Sequence, residues 1–149
     1  MKNNLNYLNN TNYKFRYLKD FQAILDYYQK LMKFKKFINI DFVLIDDVEM
    51  QKISKIYRNK DKTTDILSFP SNWKSLEFVE PIPLGEIFIS YNKVKDQAKE
   101  YKHSIRREFC YLFTHGILHL YGLDHQTEKE EKIMNNLADK IMKKMNIGR

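Results

Sequence analysis

The chain is predicted to fold as a single α+β domain with a small mixed β-sheet and about five helices. Its 149 residues suit one hydrophobic core and are too few for two ordinary domains. Short β-branched runs are interleaved irregularly with amphipathic stretches of helical period. No linker, internal repeat or low-complexity tract divides the chain.

The elements follow in order. Residues 1–12 are rich in asparagine (Asn3, Asn4, Asn9, Asn10, Asn12) and are expected to fray. Phe15, Leu18, Phe21, Leu25, Tyr28 and Met32 recur at helical spacing and predict an amphipathic first helix. Phe37 to Ile45 is short, β-branched and largely apolar, as a buried strand is. Asp46 and Glu49 have capping-box spacing for a second helix reaching Arg58. Asp65 to Ser68 and Glu86 to Ser90 read as two further strands, separated by a loop with Trp73, Pro81 and Pro83. Tyr91 to Tyr101 is a third helix. Ser104 to Tyr121 is a fourth, with Ile105, Phe109, Leu112, Gly116 and Leu120 as its buried stripe. Ser104 is its expected N-cap, and Gly122 stands where a left-handed residue ends a helix. Thr127 and Glu130 form another capping box, opening a last helix whose Ile133, Met134, Leu137, Ile141 and Met145 face inward.

Composition narrows the function classes. Lysine and arginine number 26 against 19 acidic residues, giving a formal charge of +7 and a pI near 9.3. Such a balance suits a phosphate-rich partner, because basic side chains gain affinity by releasing counterions. No run of eighteen apolar residues exists for a membrane span, and the N-terminus lacks the apolar core of a secretory signal. One cysteine, Cys110, rules out an internal disulfide, which fits a reducing cytoplasm; its expected role is that of a small buried apolar residue.

The densest chemistry lies in His115-Gly-Ile-Leu-His119-Leu-Tyr-Gly-Leu-Asp-His125, which holds three of the four histidines. His115 and His119 fall one helical turn apart on one face, and a sharp turn at Gly122 brings His125 back toward them. Three neutral imidazoles with a fourth position open form a hydrolytic rather than a structural metal site. Zinc suits them best among common ions, though nickel, copper and cobalt also accept imidazole. Asp124 is a candidate fourth ligand or an acceptor for an imidazole N–H, and equally a solvated turn residue. The spacing also approaches that of the metzincin proteases, but Gly116 stands where their general-base glutamate is required.

His-Gly-x-Leu-His-Leu-x-Gly-x-Asp-His resembles the hallmark of the bacterial YbeY-type endoribonucleases, or rRNA maturation factors. Three further blocks are similar to that family in the same order: Tyr57 to Pro70, Leu84 to Ser90, and His103-Ser104 with Arg107-Glu108. Departures are Glu86 for aspartate, Lys102 for a glycine, and Asn59 for a small residue. The resemblance implies a metal site at the end of a helix in a cleft. It also implies a zinc-dependent, single-strand-specific endoribonuclease acting on precursor rRNA and ribosomal subunits, at the 3′ end of 16S rRNA and in ribosome quality control.

On that basis His115, His119 and His125 are expected to hold Zn²⁺, which lowers the pKa of a bound water from 15.7 toward roughly 7. Arg58 is the candidate for stabilising charge on the attacked phosphate, since a guanidinium engages two oxygens and stays protonated. His103 is a candidate substrate contact or proton donor, and equally a capping residue. Glu108, two turns before His115, is a candidate for orienting a ligand or pairing with a cation. Lys60, Lys62 and the lysines of the last helix (Lys140, Lys143, Lys144) are candidate RNA phosphate contacts. Two other classes stay open: a ribosome-assembly or RNA-binding factor whose metal is mainly structural, and a metal hydrolase for another substrate.

Overall fold

The computed structural model describes residues 2–58 and 64–147, with Arg58 described by its backbone alone. The fold is a small α+β domain. Its strands are β1 (Asn4–Asn9), β2 (Ile38–Ile45), β3 (Ile66–Pro70) and β4 (Ile82–Ser90). Its helices are α1 (Leu18–Leu31), α2 (Asp47–Arg58), α3 (Tyr91–Glu100), α4 (Ile105–Tyr121) and α5 (Glu128–Lys144), with a short 3-10 turn at Trp73–Leu76. The sheet order is β1-β2-β4-β3. The β1–β2 and β2–β4 pairs are parallel and β3 runs antiparallel to β4, so the expected mixed sheet is present. No helix among the described residues is long and apolar enough to cross a membrane.

Alternation along the strands decides which helices cover which face. Ile40, Phe42 and Leu44 of β2 and Ile87 and Ile89 of β4 are fully buried in the main core with α1, α4 and α5. Ile45, Leu67 and Phe69 point the other way and pack with Met50 and Ile53 of α2. In the main core the Phe21 and Phe113 rings stack at 4.1 Å, and the Tyr28 hydroxyl donates to the Ile117 carbonyl at 2.8 Å, tying α1 to α4.

Three expectations need correction. Residues 2–12 are not frayed: most of them form β1 and the turn after it. Leu5 and Tyr7 pack on the core, with Tyr7 stacked on Phe42 at 5.5 Å. The asparagines supply connections instead of solvation. Asn3 is 3% exposed, accepts from the Ile38 N–H at 2.9 Å and donates to Asp26 at 3.0 Å. Asn6 donates to Asn39 and Asp41, and the Asn9 side chain spans the following turn to the Tyr13 carbonyl.

The second correction concerns boundaries. Helix α1 begins at Leu18, so Phe15 precedes it, yet Phe15 still reaches the core between Tyr7, Phe21 and Phe109. Strand β4 begins at Ile82 and takes in Pro83, which lacks an N–H. The β2–β4 register slips there, passing from Asn39–Pro83 to Ile40–Gly85. Third, Ile133 does not face inward and is 43% exposed. The buried stripe of α5 is Met134, Ala138 and Ile141, at i, i+4 and i+7, and Ile133 sits about 100° from Met134 around the axis.

Candidate metal centre and RNA groove

Helix α4 is the element on which the site is built. The Ser104 hydroxyl caps it by accepting from the Arg107 N–H at 3.0 Å. At the other end Gly122 has φ 122° and donates to the His119 carbonyl, while the Leu123 N–H reaches back to the Leu118 carbonyl at 3.2 Å. That paired closure is the Schellman arrangement, and it reverses the chain sharply. The turn continues through Asp124, whose Oδ1 accepts from the His125 backbone N–H at 2.8 Å. Through that bond Asp124 holds the turn that carries His125.

Helix α4 lies close on the sheet because residue 116 has no side chain. A Cβ there would stand 2.9 Å from Ile66 Cδ1, 3.0 Å from Ile87 Cδ1 and 3.2 Å from Ser68 Oγ. The glycine that stands in place of the protease glutamate is thus a packing residue, and a side chain at this position requires the tips of Ile66, Ile87 and Ser68 to give way. Strand β3 is itself pressed against β4 at Gly85, where a Cβ would meet the Phe69 carbonyl oxygen at 2.3 Å.

The three histidines come to neighbouring positions. The His119 and His125 rings are 5.2 Å apart and edge-on. His119 Nδ1 lies 2.9 Å from the Leu123 carbonyl oxygen; an oxygen of that kind only accepts, so Nδ1 donates a proton to it and Nε2 is the nitrogen left to face other groups. Burial drives the His115 pKa down to about 4, with further lowering from His119 and His125, while Asp139 and Asp65 act in the opposite sense. That ring is neutral at pH 7. Its Nε2 is buried without a hydrogen-bond partner among the described residues.

An orphaned imidazole nitrogen beside a second one with a fixed tautomer is a donor set that fits zinc or a similar borderline cation. The rings are neighbours without converging: among the described residues no three donors stand close enough to hold an ion. His125 is the exposed member, on the turn after Gly122.

Two recesses flank the histidines. An open groove of about 630 Å³ is lined by His119, Asp124 and His125 on one side and by Thr64, Ser68 and Pro70 on the other. A second recess of about 380 Å³ is formed by Tyr101, His103, Arg107, Glu108 and Tyr111. Glu108 is only 5% exposed. Burial raises its pKa; Arg107 lowers it and Asp65 adds to the rise. The Arg107 guanidinium lies 5.2 Å from the Tyr111 ring centre, and Tyr111 is 4.4 Å from the His115 ring. His103 lines this second recess rather than the groove.

Other candidates fall elsewhere. Lys60 and Lys62 lie outside the described residues, as does the side chain of Arg58 at the end of α2. Lys144 sits over the Tyr27 ring at 5.9 Å. Cys110 is buried, with its thiol pushed up to about 12 by burial, which leaves it inert.

Sequence reasoning missed Tyr111 and Asp65. The Asp65 carboxylate accepts from Thr64 and from Gln97 of α3 and acts on both His115 and Glu108. Its signal was its place beside Thr64 in the matched segment; Tyr111 had none beyond its position one turn before His115.

Comparison with known proteins gives one answer along the whole chain. The family described as Endoribonuclease YbeY matches residues 4–146. A curated relative of that description from Mycoplasma mobile is 53% identical over 150 residues, covering 100% of this chain and 99% of the relative. One from Mycoplasmopsis pulmonis is 47% identical, with 99% of each chain covered. A solved structure from Thermotoga maritima has the same fold, with a TM-score of 0.64 at 20% identity, covering 95% of this chain and 91% of that one.

Proposed function

The chain belongs to the YbeY endoribonuclease family, and we propose that it is a metal-dependent, single-strand-specific endoribonuclease of ribosomal RNA maturation, working in the cytoplasm on precursor rRNA and ribosomal subunits. The observation that carries the reading is that His119 and His125, with ring centres 5.2 Å apart, line an open groove, and His115 stands one turn before His119 on α4. Zinc held by these three residues would supply Lewis acidity and a water of lowered pKa.

The chain's own groups do the rest. The Leu123 carbonyl fixes the His119 tautomer, and the Gly122 turn with Asp124 carries His125. Burial keeps His115 neutral, so it offers a lone pair instead of a charge. The groove between the Gly122–His125 turn and β3 is open to solvent, which suits access by an unpaired strand. Ser68 offers a hydroxyl donor to a phosphate there, while the Thr64 hydroxyl is engaged with Asp65. Arg58 is assigned to the negative charge that grows on the attacked phosphate, with Lys60 and Lys62, close to it in sequence, as phosphate contacts.

The test separates enzyme from assembly factor. Arg58→Glu is expected to lower kcat by about 100-fold or more with an unchanged melting temperature, read on a labelled single-stranded RNA. Wild-type cleavage by this variant would remove Arg58 from the mechanism. If metal removal lowers the melting temperature while metal-loaded wild type cleaves nothing, binding to the ribosome becomes the better account of the protein.

A further inference from the structure

The chain leaves α1 through Lys33-Phe34-Lys35-Lys36, a connection held rigidly. Lys33 takes the left-handed conformation at φ 61°. The Phe34 N–H bonds the Gln29 carbonyl, and the Gln29 side chain in turn donates to the carbonyls of Phe34 at 2.8 Å and Lys36 at 3.3 Å. This fixes Phe34 toward the fold, edge-on to Trp73 at 5.2 Å and to Tyr121 at 5.7 Å. Trp73 and Tyr121 are 5.4 Å apart. The three rings line a recess of about 320 Å³ that stays open to solvent.

Its rim is basic. Lys33, Lys35 and Lys36 line it from the α1–β2 connection, and the Lys74 ammonium lies 5.7 Å from the Trp73 ring centre. Glu77 is the one acid on the lining. Trp73 is only 6% exposed and forms the floor, so the accessible ring surface is that of Phe34 and Tyr121. Apolar ring surface inside a rim of ammonium groups matches an unpaired nucleotide, whose base packs on the rings and whose phosphates meet the cations.

The recess is coupled in space to the histidine site. Tyr121 follows His119 by two residues, which puts the two side chains on opposite flanks of the last turn of α4, about one helix diameter (10–12 Å) apart. The Trp73 indole N–H donates to the Leu120 carbonyl at 2.9 Å, anchoring the recess to that same turn. We infer that the recess between Phe34, Trp73 and Tyr121 is a second RNA-binding subsite, which holds an unpaired nucleotide of the strand outside the cleavage groove. The choice of RNA as occupant rests on the endoribonuclease reading.

Trp73 is the sole tryptophan, so its emission reports on the recess directly. Full-length protein kept in chelator, where no cleavage is expected, is titrated with a single-stranded oligoadenylate at low salt. The subsite predicts a saturable change in Trp73 emission. It also predicts at least tenfold weaker binding for Lys33→Gln/Lys35→Gln/Lys36→Gln. Phe34→Leu, which keeps apolar volume, should lose most of the emission change. The exposed triple Lys99→Gln/Lys129→Gln/Lys132→Gln removes equal charge elsewhere and should shift binding less than threefold, with thermal melts confirming that every variant folds.

Equal weakening by both triples would reduce the effect to net charge and overturn the subsite. So would an unchanged Trp73 signal on RNA binding, or an equal response to an oligoglutamate peptide. The two proposals fail separately. Loss of cleavage by loaded wild type with the Trp73 response intact would sink the enzyme reading alone. Normal cleavage without a Trp73 response would sink the subsite alone.

Discussion

Gly116 shows how one residue settles a choice between two chemistries. Its spacing to the histidines matches the position of a protease's general base, and its missing side chain is what lets α4 approach Ile66, Ile87 and Ser68. Restoring a glutamate there does not restore a protease. Gly116→Glu is expected to cost about 1–3 kcal/mol, through overpacking against Ile66, Ile87 and Ser68, read by urea denaturation. A stable Gly116→Glu protein would contradict the packing account, and one that also degraded casein would revive the protease reading. The residue scale was also the most legible in sequence. His115, His119, Gly122 and the Ser104 cap act locally, within one helix and its turn, so spacing alone placed them. The burial of Glu108 and the nearness of Asp65 arise from chain segments about forty residues apart, and no local pattern encodes that.

At the scale of elements, the helices were legible because each carries a stripe of apolar residues at the helical period. Strand β1 was not. Its alternation is carried by Leu5 and Tyr7 only: Leu8 breaks it with an exposed apolar side chain, and asparagine, scarce in strands, fills the other three positions. What holds the strand is tertiary: the parallel pairing with β2 and the polar bonds of Asn3 and Asn6. Asn3→Ala leaves the Ile38 N–H buried without its acceptor, and is expected to destabilise the fold by about 1–3 kcal/mol. Asn12→Ala, at an exposed position of the following turn, should change stability by less than about 0.5 kcal/mol. Chemical denaturation of both variants distinguishes a structural β1 from a decorative one; equal stabilities would return the segment to the frayed class. Pro83 and Gly85 hid the start of β4 in the same way, because a bulge breaks the two-residue period on which strand reading depends.

For the whole molecule, one basic domain carries two kinds of electrostatic feature. The exposed lysines give sequence-independent attraction for a polyanion. The buried groups near α4 tie stability to pH. Burial raises the Glu108 pKa, against Arg107 and together with Asp65, so the folded state favours the neutral carboxyl. A raised acid adds stability that is fully present below its unfolded pKa and is lost as pH rises through the folded value. Glu108→Gln should therefore melt higher relative to wild type at pH 7 than at pH 4. A melting difference that is flat across that range would mean the carboxylate is compensated by a partner. The order of strands and the covering of both sheet faces emerge only at this scale, since the sequence shows which residues are apolar and not which helix reaches them.

The central claim is that the three histidines of α4 and its turn make an RNA-cleaving metal centre. It is tested most directly by cleavage of one labelled single-stranded RNA by metal-loaded wild type, chelated wild type and His119→Ala, with elemental analysis of each sample. The account predicts cleavage by the loaded wild type alone, with about one zinc per chain there and little metal in the other two. Equal cleavage in all three would mark a contaminating nuclease, and cleavage by metal-free His119→Ala at the wild-type rate would contradict the claim outright.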